Sequence, residues 1–140
     1  KEQARYLSVA KEAAIALKSN VYAMHDVRGG GIFGALWELS QKLGVGLSID
    51  LREIPVKQET IEVCEFFNLN PYELLSGGAL LMAAEDGFGL VRKLEEAGIP
   101  ASLIGRTDKS NDSVVTNGEE TRYLGPAGPD EIYKVPFSVL

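Results

Sequence analysis

Hydrophobic residues recur along this chain in two patterns, one typical of helices and one typical of strands. Where they return at every third or fourth position they predict an amphipathic helix, and where they alternate or run together they predict a strand. The predicted helices cover residues 1–20, 31–43, 57–68 and 87–98. The predicted strands cover residues 21–27, 45–51, 76–85 and 99–107, with a further pair within 113–124. Residues 125–135 are interpreted as a proline and glycine linker followed by one helical turn.

All four predicted helices carry a face suited to burial, which in the fourth consists of Leu90, Val91, Leu94 and Ala97. In the first helix this face consists of Leu7, Ala10, Ala14 and Leu17. In the second it consists of Ile32, Leu36, Leu39 and Leu43. In the third, Cys64 lies at helical spacing from Ile61 and Phe67. We therefore expect the Cys64 thiol in the core, which is favoured over a metal-binding or catalytic role because the chain has no second cysteine or second histidine.

The order of the elements predicts the fold class. Helices alternate with strands over the first hundred residues, which predicts crossover connections within a sheet. Asn117 and Gly118 stand between two strand-like runs, which is a strong signal for an antiparallel hairpin. A sheet with both kinds of connection is mixed. We therefore expect an α+β fold, layered α/β/α, with helices packed on a mixed β-sheet.

Length, charge and composition limit the class of protein. With 140 residues, 45% of them hydrophobic, the chain is expected to form a single domain over residues 1–140. A net charge of -6 argues against nucleic acid as a partner. A single cysteine excludes an internal disulfide, and the absence of a long apolar run predicts no membrane partner and a cytoplasmic setting. Because the helical pattern begins at Lys1 without an initiator methionine, we expect the chain to be part of a longer protein.

The stretch AMHDVRGGGIFGAL, residues 23–36, is the strongest candidate for a functional site. It places His25, Asp26, Arg28 and three consecutive glycines, Gly29, Gly30 and Gly31, between a predicted strand and a predicted helix. Glycines at a helix start allow a phosphate to approach the unpaired backbone N–H groups there. The spacing matches neither a P-loop nor a dinucleotide-binding loop. A tight turn packed against a neighbouring backbone explains the same glycines equally well.

His25 and Asp26 also have two interpretations. A lone histidine is more often a structural residue than a general base, since a base needs a partner and a pocket. Asp26 could orient His25, bind a cation, or serve as a polar group close to the helix. Neighbouring residues of a strand point to opposite faces, so the two side chains converge on one ligand only if the strand has ended there.

The ordered stretches AMHDVRGGGIFGALWEL, VGLSIDLREIPV, EVCEFFNLNPYELLSGGALLMA, LVRKLEEAGIPASLIGR and VVTNGEETRYL resemble the C-terminal domain of the aminoimidazole ribonucleotide (AIR) synthase related superfamily, also called PurM-like. Within it, the chain is most similar to the HypE group of hydrogenase maturation dehydratases. The resemblance covers about residues 20–135 and rests on the ordered pair of HD-x-x-G-G-G and S-G-G-x-L-L.

The resemblance implies half of a two-domain enzyme that uses ATP and magnesium to phosphorylate an amide oxygen, which then leaves as phosphate. The missing N-terminal ATP-binding domain would supply the metal ligands and the dimer contact, so the full-length protein would be a homodimer acting on a small-molecule or protein amide. Carried over by position, His25 and Asp26 would be catalytic, and Arg28, Gly29, Gly30, Gly31, Ser76, Gly77 and Gly78 would face phosphate or substrate. The resemblance implies no metal ligand here and no tightly bound cofactor, and we expect no turnover from this domain alone.

Two differences from the family pattern leave other functions open. Relatives carry threonine where this chain has Arg28, and HypE proteins end in a cysteine where this chain ends in PFSVL. Three hypotheses follow: half of an ATP-dependent dehydratase or cyclo-ligase, a catalytically silent binding or regulatory module with the same fold, and a docking partner in hydrogenase maturation.

Overall fold

A computed structural model describes residues 8–136 of the protein. The helices are α1 (Ala10–Ala16), α2 (Gly31–Leu43), α3 (Gln58–Phe67) and α4 (Gly87–Glu96). The strands are β1 (Val21–Asp26), β2 (Gly46–Asp50), β3 (Leu80–Ala84), β4 (Gly105–Asp108), β5 (Ser113–Asn117) and β6 (Glu120–Tyr123). Short 3-10 turns cover Leu51–Glu53 and Glu131–Lys134.

The strands form two sheets. β1 and β3 pair antiparallel as a two-stranded sheet, and the other strands form a four-stranded sheet in the order β4-β2-β5-β6. In the larger sheet β2 and β5 run parallel while the other pairs are antiparallel, so it is mixed. The α+β class with a mixed sheet is confirmed. The division into two sheets is a finding that the hydrophobic pattern did not show, since that pattern does not identify which strands pair.

Helix α2 joins the two sheets into one core. Its side chains Phe33, Ala35, Leu36 and Leu39 pack with Leu47, Ile49 and Val115 of the larger sheet and with Leu81 of the smaller one. Ser40 is also buried in this helix, and its hydroxyl donates to the Trp37 carbonyl oxygen at 2.7 Å. The predicted second helix is therefore the structural centre of the domain; of its predicted buried face, Leu36 and Leu39 are buried, while Ile32 and Leu43 are partly buried and pack against the same core.

The hairpin at residues 113–124 is confirmed. Asn117 pairs with Glu120 across the turn, and Gly118 has a φ of +64°, a backbone conformation that glycine adopts without strain. The strand predicted at 99–107 is wrong in most of its length, because β4 begins only at Gly105. Ile99 instead packs against Leu90 and Leu94 at the end of α4, so its apolar side chain serves that helix.

The predicted buried face of the first helix is wrong where the structure describes it. Ala10, Ala14 and Leu17 are exposed, Leu17 to 77% of its surface, and Leu7 lies outside the described residues. The buried residue is Ala16, because α1 packs against α4 and β3 through a different side. A helix of seven residues offers too few apolar positions for periodicity alone to fix its orientation.

Cys64 lies in the core as predicted. It is buried beside Leu69 and Val135, where α3 meets the C-terminal segment. Burial, followed by the nearby Glu131 carboxylate, raises the pKa of the thiol. A neutral thiol in an apolar cluster behaves as a small hydrophobic side chain.

Among residues 8–136, no helix combines the length and hydropathy needed to cross a bilayer.

The core assignment predicts a contrast between two leucines. Leu36→Ala removes a side chain that is only 2% exposed, and we expect it to lower the free energy of unfolding by about 2–5 kcal/mol. The control Leu17→Ala truncates an exposed side chain and should change it by less than about 0.5 kcal/mol. Urea unfolding followed by circular dichroism measures both, and equal losses would contradict the orientation of α1.

Candidate functional site

The two glycine-containing stretches predicted as functional meet at one end of the β1–β3 sheet. Just beyond β1, the Val27 amide donates to the Ala79 carbonyl oxygen at 3.0 Å, and the Ser76 amide donates to the Arg28 carbonyl oxygen at 3.3 Å. Antiparallel pairing of β1 with β3 places the end of one strand beside the start of the other. Residues about fifty positions apart in the sequence thus form one loop cluster.

His25 has a partner on each ring nitrogen. Its Nδ1 lies 2.7 Å from the Asp26 carbonyl oxygen, and its Nε2 lies 2.7 Å from Oε2 of Glu38 on α2. The imidazole side chain is 10% exposed, whereas the Glu38 side chain is 51% exposed. Sequence reasoning missed Glu38, although an acidic residue among apolar neighbours on the second helix was a visible signal.

Asp26 pairs with Arg28. The Arg28 Nε donates to Oδ2 of Asp26; the Arg28 side chain is exposed and that of Asp26 is partly exposed. The hydrogen bond from Arg28 is the main cause that lowers the pKa of the Asp26 carboxyl. Asp26 is therefore an ionised carboxylate balanced by a guanidinium at neutral pH.

The three consecutive glycines have three different environments. Gly31, with a φ of +62°, lies so close to the backbone of residues 72–74 that a Cβ would stand 2.8 Å from the Leu74 carbonyl oxygen. Gly30, with a φ of +79°, lies under Ala127, whose Cβ would be 2.8 Å from an added Cβ. At Gly29 the nearest atom to an added Cβ is Oδ2 of Asp130, at 3.9 Å. Close packing therefore explains Gly30 and Gly31, while Gly29 has room around it.

The amides at the start of α2 have acceptors within the protein. Gly31 donates to the Arg28 carbonyl oxygen at 3.1 Å, Phe33 to that of Tyr72 at 3.0 Å, and Gly34 to that of Gly30 at 3.1 Å. The Gly30 amide donates to Oδ2 of Asp130 at 2.7 Å. The sequence led us to expect unpaired N–H groups here, but these amides are already bonded to acceptors of the protein. An anion at Gly30 would have to displace the Asp130 carboxylate.

Asp130 links the glycine loop to the C-terminal segment. Its carboxylate accepts hydrogen bonds from the backbone amides of Gly30, Leu75 and Ile132. Burial acts to raise the pKa of this carboxyl, but the three amide donors together outweigh it and the pKa is lowered. The neighbouring Glu131 is buried, accepts from the Asn70 amide at 2.9 Å and pairs with Lys134. The stretch interpreted from sequence as a linker therefore supplies two capping carboxylates.

An open depression of about 410 Å³ lies beside this loop. It is lined by the polar and charged residues His25, Asp26, Arg28, Glu38 and Lys42, together with Gly29. Gly30 lines a second, smaller cavity of about 140 Å³ under residues 125–129, and Gly31 is buried. Ser76, Gly77 and Gly78 are exposed next to the loop, but they do not line the depression. The structure therefore gathers His25, Asp26, Arg28 and Gly29 in the depression, while Ser76, Gly77 and Gly78 border it and Gly30 and Gly31 are packed away from it.

Comparison with known proteins identifies the family. The sequence profile described as AIR synthase related protein, C-terminal domain, matches residues 1–117. The chain belongs to this family.

Relatives of this AIR synthase related domain include carbamoyl dehydratase HypE of Rhizobium leguminosarum bv. viciae, 34% identical over 91 residues, which are 62% of this chain and 26% of that protein. The crystal structure of E. coli HypE superposes with a TM-score of 0.75 at 23% identity, covering 86% of this chain and 41% of that one. A HypE structure in complex with ATP gives a TM-score of 0.67 at 20% identity, covering 76% of this chain and 36% of that one. The chain thus spans less than half the length of these relatives.

The profile and the structure show two further features of this family member. The profile ends at residue 117, so the capping carboxylates Asp130 and Glu131 lie outside the matched region. Within residues 8–136, no three histidine, cysteine, aspartate or glutamate side chains converge to hold a metal ion. The donor set of the described part therefore does not fit a magnesium site of its own.

The glycine environments predict a matched pair of variants. In Gly31→Ala the new side chain stands on a left-handed backbone and clashes with the backbone of residues 72–74. We therefore expect a loss of about 2–4 kcal/mol in the free energy of unfolding. Gly29→Ala should change it by less than about 1 kcal/mol, since its surroundings admit a methyl group. Chemical denaturation of both variants measures this, and a stable Gly31→Ala protein would contradict the packing at that position.

The three amide bonds to Asp130 predict acid sensitivity of the C-terminal segment. Because its folded-state pKa is lowered, Asp130 contributes stability above the ordinary carboxyl pKa, and that contribution disappears as pH falls through the lowered value. Asp130→Asn should remove about 1–2 kcal/mol at pH 7 and flatten this acid dependence. Hydrogen exchange of the Gly30 and Leu75 amides at pH 7 and pH 3 measures the effect. Unchanged protection in the variant would show that the carboxylate does not hold the segment.

Proposed function

We propose that this domain forms one wall of an interdomain cleft in an ATP-dependent, amide-activating enzyme of the AIR synthase and HypE type. The observation that carries the proposal is the depression in which Arg28 and Lys42 lie beside the accessible Gly29. Two cations beside a glycine suit the phosphate of a co-substrate or of an activated amide. The carboxylates Asp26 and Glu38 on the same surface supply acceptors for an amide N–H.

In this proposal the phosphate lies at the mouth of the loop rather than at the start of α2. Arg28 is exposed and bends toward Asp26, so its remaining guanidinium N–H groups are available to phosphate oxygens. Gly29 permits close approach without a side chain. Ser76, Gly77 and Gly78 border the same surface and would contact the more distant part of a substrate.

The relatives support this assignment at the level of the whole protein. One is named a carbamoyl dehydratase, and another was solved with ATP. By the same reasoning, an N-terminal domain would bind ATP and hold magnesium, and the full-length protein would act as a cytoplasmic homodimer on a small-molecule or protein amide. The turnover then belongs to the cleft between the domains, since one wall cannot organise the transition state alone.

A second candidate function is a binding or regulatory module without chemistry. It is favoured by one observation, namely that both predicted catalytic side chains are paired inside the domain, His25 with Glu38 and Asp26 with Arg28. In that case ADP or phosphate would bind without being turned over.

The test uses the full-length protein. We expect ATP hydrolysis that requires magnesium and an amide substrate, and we expect Arg28→Met to lower kcat/KM by about 10²-fold through loss of a charged phosphate contact. The control is Arg106→Met, which changes an exposed arginine on β4, and it should leave kcat/KM within about two-fold.

The outcomes separate the two candidates. Loss of activity in Arg28→Met but not in Arg106→Met supports the enzyme. A wild-type protein that binds ADP by calorimetry without amide-dependent hydrolysis supports the silent module. Equal activity of all three proteins would refute a phosphate contact at Arg28.

A further inference from the structure

The two side chains of the His25–Glu38 pair differ in exposure, which the sequence did not reveal. His25 lies on β1 with its ring largely covered, and Glu38 lies on α2 with half of its side chain exposed. Both line the depression that also contains Arg28 and Lys42. The accessible end of the pair is therefore the carboxylate and not the imidazole.

The hydrogen-bond partners of the ring determine where its protons are. The Asp26 carbonyl oxygen can only accept, so Nδ1 must donate to it. On the other side, Nε2 and Oε2 of Glu38 are 2.7 Å apart, which requires one shared proton between them. With both ring nitrogens engaged, His25 has no lone pair or proton left for a substrate.

Glu38 keeps one oxygen for a further partner. Its Oε2 is bound to His25, while Oε1 makes no hydrogen bond to any residue within 8–136. Asp26, the other carboxylate of the depression, is instead paired with Arg28. Lys42 stands four positions after Glu38 on the same helix, a spacing that places the two side chains on one face.

We infer that Glu38 is the carboxylate of this domain that contacts the substrate, accepting a proton from an amide nitrogen through Oε1, and that His25 is its positioning residue. The pairing itself stands on the geometry, and the assignment of a reaction step to it rests on the proposed function. The sequence suggested His25 as a catalytic residue. In this inference Glu38 accepts the proton and His25 holds Glu38 in position.

The step balances in the following way. The C=O π bond of the amide breaks and its electron pair forms the bond from oxygen to the terminal phosphorus of the ATP co-substrate, and ADP leaves with the electron pair of the broken P–O bond. The amide N–H bond breaks, its electron pair becomes the second C–N bond, and its proton goes to Oε1. Glu38 ends as a neutral carboxylic acid that remains hydrogen-bonded to His25.

The first measurement tests the pair without any activity assay. His25 is the only histidine of the 140 residues, so nitrogen NMR of its ring gives one unambiguous pair of signals. We expect Nδ1 to carry a proton in the wild type and in Glu38→Gln, whose amide can still pair with Nε2. In Glu38→Ala the Asp26 carbonyl oxygen still accepts from Nδ1, so we expect the Nδ1 signal to stay protonated and the Nε2 signal alone to shift to that of an unpaired ring nitrogen. A wild-type ring protonated only at Nε2 would overturn the inference.

The second measurement tests catalysis in the full-length protein. Glu38→Gln should lower kcat by about 10²-fold or more with little change in KM for ATP, since general-base catalysis is lost while binding remains. Its matched control is Glu96→Gln, on the exposed side of α4, which should stay within about two-fold of the wild type. His25→Gln retains an N–H donor toward Glu38 and should recover at least ten-fold of the activity lost in His25→Ala.

Each remaining result decides the inference. Full activity of Glu38→Gln with a normal ring spectrum would make the pair a structural tie between β1 and α2, and the inference would be wrong.

If the wild-type full-length protein turns over no ATP, the proposed function fails separately. The pair is then judged by titrating the chain with acetamide. Shifts of the His25 signals in the wild type but not in Glu38→Gln support amide contact, and equal shifts refute it.

Discussion

The arrangement of this domain depends on how the N-terminus of α2 is capped. The Tyr72 carbonyl oxygen accepts from Phe33, and the Asp130 carboxylate accepts from Gly30, so distant segments of the chain converge on the start of one helix. A helix start carries a partial positive charge and unpaired donors that must be satisfied once buried. By satisfying them internally, the protein fixes α2 between its two sheets and brings the C-terminal segment against the glycine loop.

This capping also determines which polar groups of the loop remain accessible. The same backbone donors that would attract a phosphate are used for folding, and close backbone packing at Gly31 leaves no space there. The accessible charged groups lie instead in the depression, which is lined by Arg28, Gly29, Glu38 and Lys42. There the charged side chains are near enough to water to exchange partners, which a buried cap cannot do at low cost.

The proposed function combines membership of the AIR synthase related family with the geometry of the depression. The family supplies the expectation of a cleft shared with another domain, and the geometry supplies the groups on this side of it. Two side-chain pairs, Asp26 with Arg28 and Glu38 with His25, lie next to each other in the depression. In the proposed function Arg28 would contact an anion and Glu38 an N–H donor, which are the two ends of a phosphorylated amide.

The sequence by itself determined the local features of this protein. The periodicity of α2, the hairpin at Asn117 and Gly118 and the burial of Cys64 were predictable because each depends on spacing within one segment, and the α+β class was predictable from the order of those segments. Only the tertiary structure decided the orientation of α1, the division into two sheets, the capping by Asp130 and the partnership of His25 with Glu38. Those features depend on contacts between residues far apart in the chain, such as Gly30 and Asp130, and no local pattern of hydrophobic and polar positions encodes them.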